Sequence, residues 1–297
     1  MILMKDTPNL SSETEDKLFP SKITLQIKGK LILLDDPCVM GILNVTPDSF
    51  FSESRISSDE NQLLQKAEKL LGEGASILDL GGYSSRPGAA EVTTEDEVKR
   101  IVPAVKAIKK QFPTSILSVD TFRHEVAEAA FAEGADIIND ISGGELDAEM
   151  IPTVAKLNIP YICMHMRGNP ATMQDKTEYN NLEKDILLFF NEKLNQCHKA
   201  GIKDVIIDPG FGFAKNLAQN YRILKNLSYF KTIKSPILAG VSRKSMIYKI
   251  LGVSPEKALN GTTALNMTAL LNGAKILRVH DVKEATETVK LYKQLYP

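Results

Sequence analysis

Short apolar runs of strand length recur along the chain. Each ends in a polar or glycine-rich cluster, and a helical stretch with one apolar face follows. Eight such runs stand at residues 38–45, 76–81, 115–121, 136–141, 161–165, 205–208, 236–241 and 275–280. They are nearly continuously apolar rather than alternating, which predicts parallel strands buried on both faces. Between them, Leu63, Leu64, Ala67, Leu70 and Leu71 fit a 3.6-residue period that stops at Gly72 and Gly74. Leu182, Ile186, Phe190 and Leu194 recur every fourth residue and share one face. Thr94 and Glu97 have capping-box spacing, and Pro103 inside that helix predicts a kink.

One local device is used three times: Gly74-Ala75-Ser76-Ile77-Leu78, Gly134-Ala135-Asp136-Ile137-Ile138 and Gly273-Ala274-Lys275-Ile276-Leu277. The glycine ends a helix in a left-handed conformation, the alanine packs closely, and a buried strand begins. Ahead of the first strand, residues 23–36 read as a small hairpin turning at Gly29. Residues 1–22 lack periodicity and read as a tail, which leaves 23–297 as one domain. Strict alternation of eight strands with helices predicts an α/β fold, a (β/α)8 TIM barrel carrying a short N-terminal hairpin. A doubly wound open sheet is the alternative. It is disfavoured because no G-x-G-x-x-G follows the first strand.

Composition narrows the function. The 297 residues are 43% hydrophobic and 25% charged, close to soluble globular averages, with a formal net charge of −1. No basic excess points to nucleic acid or to an anionic membrane, so any anion site is local. No apolar run approaches a membrane span, and the start lacks the apolar core of a signal peptide. Cys38, Cys163 and Cys197 are far apart and fit neither a zinc framework nor a disulfide scaffold. A reducing, cytoplasmic compartment is the expectation.

Active sites of such barrels lie at the carboxyl ends of the strands. Here those ends carry Asn44, Asp79, Asp120, Asn139-Asp140, His165, Asp208, Ser242-Arg243-Lys244 and Arg278-Val279-His280-Asp281. Asp120, Asn139 and Asp208 suit a ligand edge rich in N–H donors, since a carboxylate accepts two parallel N–H bonds from a guanidine-like group. Lys244, Arg278 and His280 suit a phosphate or pyrophosphate. One end of the ligand is therefore a donor-rich heterocycle and the other an anion. Three connections on this side are long, at residues 46–58, 81–94 and 167–181, the length of functional lids. No G-x-S-x-G nucleophile elbow occurs.

These residues resemble the dihydropteroate synthase family of pterin-binding enzymes. The stretch from Gly41 through Asn44-Val45-Thr46-Pro47-Asp48-Ser49-Phe50 is similar to its first signature, and Gly81-Gly82-Tyr83-Ser84-Ser85-Arg86-Pro87-Gly88-Ala89 to its second. Ser118-Val119-Asp120-Thr121, Ile138-Asn139-Asp140, Met164-His165-Met166, Asp208-Pro209-Gly210-Phe211-Gly212-Phe213, Ser242-Arg243-Lys244-Ser245 and Arg278-Val279-His280-Asp281-Val282 follow in the family's order.

The resemblance implies a folate-pathway transferase. It joins 6-hydroxymethyl-7,8-dihydropterin diphosphate to 4-aminobenzoate, giving 7,8-dihydropteroate and pyrophosphate with Mg2+. The pterin diphosphate would be held by Ser85, Asp120, Asn139, Met164, Asp208, Lys244, Arg278, Val279 and His280. Ser85, Arg86, Pro87, Phe213, Lys244 and Ser245 would surround the aminobenzoate, where sulfonamides compete. Asn44 would bind Mg2+, and Asn44, Arg86, Lys244, Arg278 and His280 would carry the chemistry. A homodimer is implied as well. Two positions depart from the family's habit: Tyr83 stands where Glu is frequent, and Ser85 where Thr is. Asp79 and Asp140 are left without a role. The rival readings are a methyltetrahydrofolate-binding domain of a corrinoid methyltransferase and a catalytically silent paralogue.

Overall fold

The structure, a computed structural model, describes residues 23–45, 56–83 and 92–297. The tail at 1–22, the connection at 46–55 and the stretch 84–91 lie outside the described residues.

The chain begins with an antiparallel hairpin of β1 (Thr24–Ile27) and β2 (Lys30–Leu33). Lys28 and Gly29 both take positive φ, 50° and 75°, the backbone of a tight two-residue hairpin turn. Eight parallel strands follow: β3 (Cys38–Asn44), β4 (Ile77–Gly81), β5 (Ile116–Asp120), β6 (Ile137–Asp140), β7 (Tyr161–Met164), β8 (Val205–Asp208), β9 (Leu238–Ala239) and β10 (Ile276–Val279). They are hydrogen-bonded in the order β8-β7-β6-β5-β4-β3-β10-β9, and a parallel bridge from Ile207 to Ile237 joins the two edges. The (β/α)8 barrel is thus present, with the hairpin as an addition.

Around it run α1 (Ile56–Gly72), α2 (Thr94–Gln111), α3 (His124–Ala132), α4 (Met150–Leu157), α5 (Leu182–Ala200), α6 (Leu217–Lys225), α7 (Ser245–Leu251), α8 (Leu259–Leu271) and α9 (Val282–Leu295). The repeated glycines behave as the sequence predicts. Gly74, Gly134 and Gly273 have φ of 104°, 107° and 100°. The start of α2 differs from the expected capping box. Thr93, one residue earlier, is the N-cap and accepts from Asp96 N at 3.2 Å. Glu97 is instead fully buried and paired with Arg123. The helix runs unbroken through Pro103.

Alternation along each strand sorts side chains into two sets. Outward residues such as Leu78, Leu80, Val119, Ile138, Ile207, Leu277 and Val279 join the helices in one large apolar layer. Inward residues stack as rings. The lowest ring is apolar: Met40, Ile77, Ile137, Ile162, Ile206, Leu238 and Ile276, with Leu25, Ile27 and Leu34 of the hairpin region packed beneath as a plug. Each buried aliphatic side chain there contributes about 2 kcal/mol. Two residues further along the same strands, the ring becomes Ile42, Asp79, Ser118, Asn139, Met164, Asp208, Gly240 and Arg278. The mouth of the barrel begins at this ring.

Candidate active site

Strand periodicity brings the predicted residues together at the carboxyl end. Arg278 is the hub. Its Nε donates to Asp79 Oδ2 at 2.6 Å, and another guanidinium nitrogen donates to Asp120 Oδ2 at 2.6 Å. Burial pulls against the Arg278 charge, but the two carboxylates more than offset it and raise its pKa. Asp79 also accepts from Asn139 Nδ2 at 3.2 Å. The role missing for Asp79 is therefore visible: fully buried, it orients both Arg278 and Asn139 within their shared ring. Ser118 Oγ, in the same ring and fully buried, has no hydrogen-bond partner among the described residues.

The carboxylates are held at high energy. Burial lifts the Asp120 carboxyl to about 7, against the opposing pull of Arg278. Burial likewise raises Asp208, opposed by Lys244, by the Gly210 N–H that donates to Asp208 Oδ1 at 2.8 Å, and by Arg278. Lys244 is lowered to about 8 by burial, with Asp208 opposing that shift. Its Nζ donates to Phe211 O and lies 4.8 Å from the centre of the Phe213 ring. Beside this polar set is an apolar wall of Ile141, Met164, Met166, Met173 and Ala214, with Phe122 and Phe213 against it. Acceptors at the base, an apolar wall and cations at one side fit a flat, donor-rich heterocycle carrying an anion.

His280 is exposed at the end of β10, its Nδ1 3.1 Å from Ser242 Oγ. Ser245 opens α7, next to Lys244. Asn44 ends β3 across from Gly81. A Cβ on Gly81 would come within 3.2 Å of Asn44 Oδ1, so glycine leaves that amide oxygen clear. The Val279 side chain points the other way, into the apolar layer under the helices, so only its backbone faces the mouth. Ser85, Arg86 and Pro87 lie outside the described residues, as do most of the first two long connections.

The third long connection is pinned rather than open. Arg167 stacks on Tyr179 at 3.8 Å, Tyr179 OH donates to Ala214 O at 2.9 Å, and Gln174 donates to Gly212 O at 3.1 Å. Tyr83, the departure in the second signature, packs edge-on against Phe122 with ring centres 5.3 Å apart, and the Arg123 guanidinium lies 5.7 Å from its ring. Asp140 accepts from Ser142 N, Ser142 Oγ, Gly144 N and Tyr161 OH, all at 2.6–2.7 Å, and so shapes the loop after β6.

Two features escaped the sequence reading. Arg243 forms a bidentate pair with Asp281 at 2.8 and 2.6 Å, tying the β9 and β10 ends together. The adjacent pair Arg243-Lys244 gave no sign of which cation faces the mouth. Lys215, two residues past Phe213, is fully enclosed. A lysine soon after a glycine-rich turn was the available signal.

Fold and site together define a barrel enzyme whose mouth takes a donor-rich heterocycle with an anionic substituent. Residues 40–280 match the family described as pterin binding enzyme. The chain belongs to that family. It is 43% identical over 270 residues to the dihydropteroate synthase of Escherichia coli (strain K12), covering 89% of this chain and 93% of that one. Among solved structures it is similar to the Yersinia pestis dihydropteroate synthase in a sulfonamide drug complex (TM-score 0.86, 41% identity, 92% of this chain and 99% of that one). It is also similar to the Thermus thermophilus enzyme in complex with 4-aminobenzoate (TM-score 0.82, 33% identity, 92% and 100%).

Proposed function

We propose that the chain condenses 6-hydroxymethyl-7,8-dihydropterin diphosphate with 4-aminobenzoate, releasing pyrophosphate and 7,8-dihydropteroate in folate synthesis. The observation that carries this reading is the ring of Asp79, Asn139, Asp208 and Arg278, capped by Asp120 and Lys244 beside the Met164 wall. A folded barrel needs none of these buried charges, and unpaired ones cost several kcal/mol each.

Asp120, Asn139 and Asp208 receive the pterin edge, and Met164 and Met166 cover its apolar face. Because Arg278 already holds Asp120, substrate entry exchanges that contact for pterin N–H donors. This frees one edge of the guanidinium for the diphosphate, while Asp79 keeps the other. Lys244 lies beside the ring, over Phe213. Arg278 and His280 take the charge that develops on the leaving diphosphate, an electrostatic contribution made by groups already in place. Orientation of the arylamine against the methylene carbon supplies several kcal/mol more. Ser85, Arg86 and Pro87 complete the aminobenzoate side with Phe213 and Ser245.

Asn44 fits a Mg2+ ion. It offers one hard amide oxygen, and the group of three possible ligands among the described residues, His124, Glu125 and Asp147, does not include it. This suits a cation whose other ligands are diphosphate oxygens and water. When bound, Mg2+ neutralises charge on the departing diphosphate.

The surface supports a homodimer. Ile250, Leu251, Leu271, Leu291 and Leu295 are exposed on the last three helices. No described helix is long and apolar enough to cross a membrane, and Cys38, Cys163 and Cys197 are free thiols, which supports a cytoplasmic setting.

Incubation with both substrates and Mg2+ should yield 7,8-dihydropteroate by chromatography. Tight binding of methyltetrahydrofolate with no such product would favour the corrinoid methyltransferase reading, for which the Arg278–His280 end has no partner.

A further inference from the structure

Lys215 is the buried charge that the proposed reaction leaves unused. It follows a turn whose alternate residues Gly210, Gly212 and Ala214 all take positive φ, 71°, 83° and 47°. Alanine rarely adopts that conformation, so something holds it there. The Lys215 side chain folds back under the turn. Its Nζ lies 3.1 Å from Gly210 O, 3.0 Å from Phe213 O and 3.0 Å from His165 Nδ1, with His165 O at 3.5 Å. The turn is pressed onto the same spot. A Cβ on Gly210 would lie 2.2 Å from His165 O. On the outer side of this turn are Phe213 and the Phe211 carbonyl that Lys244 contacts, and at its start is Asp208.

Two proton arrangements satisfy these contacts. In the first, Lys215 is an ammonium whose three N–H bonds go to the two carbonyls and to the Nδ1 lone pair of a neutral His165 carrying its proton on Nε2. In the second, Lys215 is a neutral amine that donates twice and accepts from Nδ1–H. They differ by one proton and by the histidine tautomer. Asp208 is the carboxylate facing Lys215, while Lys244 and Arg167 are the cations around it, and His165 meets Lys215 and Arg167. Burial pulls Lys215 down to about 7, and Asp208 opposes that pull. Three acceptors aimed at one nitrogen add to Asp208 in favouring the charged form.

We propose that Lys215 is a positioning residue that acts as an internal ammonium ion: it gathers the carbonyls of the Gly210–Phe213 turn and keeps Asp208 ionised for the pterin edge. The effect on Asp208 rests on the function proposed above, whereas the proton arrangement does not. Without the cation the turn's carbonyls lose their donor, and the Asp208 carboxyl shifts further up, with Lys244, the Gly210 N–H and Arg278 left to oppose its burial. Raising the pH restores the carboxylate, so loss of the cation weakens pterin binding most at low pH.

Two measurements test it. In wild-type protein, long-range nitrogen–proton NMR should show His165 as the neutral Nε2–H tautomer near pH 6.5, close to the usual His pKa. A protonated Nδ1 on neutral His165 would make Lys215 an amine and overturn the proposal. This readout needs no substrate, so it stands apart from any failure of the proposed reaction. The second is calorimetric titration of pterin diphosphate against Lys215→Gln, which keeps donors but removes the charge. The pH at which binding is half-lost should move up, because one of the charges that oppose the burial of Asp208 is gone. His165→Gln, which keeps the charge, should retain the wild-type profile. A Lys215→Gln profile that superposes on wild type would contradict the inference. If that variant fails to fold, the His165 tautomer decides.

Discussion

The two ends of the barrel bury carboxylates in opposite ways. At the floor, Asp136 lies between two lysines. Lys109 and Lys28 pair with it, and Leu117 N donates to it at 2.9 Å. Asp204 accepts Gln26 N at 2.8 Å, so both acids clamp the hairpin beneath the apolar ring. A groove beside the hairpin, about 380 Å³, is lined by Leu25, Ile32, Cys38 and Val289 among others, with Lys293 paired to Asp36. At the mouth, Asp79 and Asp120 share one arginine, Asp208 has a single backbone donor, and acceptor capacity is left over. The floor spends its charges on fixing the structure. The mouth keeps them incompletely paired, which is what a site needs in order to exchange internal contacts for a ligand.

Substitutions should separate the two ends. The largest effect belongs to Asp208→Ala, which removes a charged double acceptor: pterin-diphosphate affinity should fall roughly a hundredfold or more by calorimetry, while the melting temperature stays near wild type. An undiminished affinity would move the heterocycle elsewhere. Arg278→Ala should weaken the diphosphate substrate far more than a plain pterin. It also leaves Asp79 and Asp120 without their cation, a loss of about 3 kcal/mol in stability. That loss should shrink on acidification, as the stranded carboxyls take up protons. At the floor, Leu25→Ala should cost about 3 kcal/mol of stability and leave both KM values unchanged. A changed KM would mean that the plug communicates with the site.

The smallest effect is the pH dependence of the wild type. Asp120 in the folded chain binds its proton up to about 7, against an ordinary carboxyl value of 3.8. Between those values the folded state holds a proton that the unfolded state has lost, so this group's contribution to stability falls as pH rises. Pterin binding, which needs the carboxylate, should rise over the same interval. Denaturant unfolding and calorimetry between pH 4 and about 8 would show the opposed trends, and parallel trends would remove Asp120 from the pterin edge.

Most of the fold was legible because both-face burial writes itself as continuous apolar runs, and three of the runs begin just after a glycine with a left-handed backbone. The seventh run was the least faithful. Residues 236–241 yield only the two-residue strand β9, since pairing there is shared with the bridge at Ile237. The Thr93 cap was missed by one residue because Thr94 has the same chemistry and Glu97 offered a false partner. In the site, Asp120, Asn139, Asp208, Lys244 and Arg278 could be read from their places at strand ends. Asp79 could not, because its function is to hold two other site residues, and that relation crosses three strands. Lys215 was hidden for a related reason. Its partners are backbone carbonyls, which no side-chain pattern records. Val279 was carried along with its motif, although strand alternation turns its side chain toward the helices.

The central claim is that the charged ring at the mouth carries a pterin-diphosphate transferase. Pyrophosphate release tests it most directly, from purified protein with pterin diphosphate, 4-aminobenzoate and Mg2+, with and without a sulfonamide. The account predicts release that requires both substrates, is blocked by the drug, and is lost in Asp208→Ala. Pterin-diphosphate binding without any release would contradict it and leave a silent paralogue, with Tyr83 and Ser85 the first positions to restore to the family's Glu and Thr.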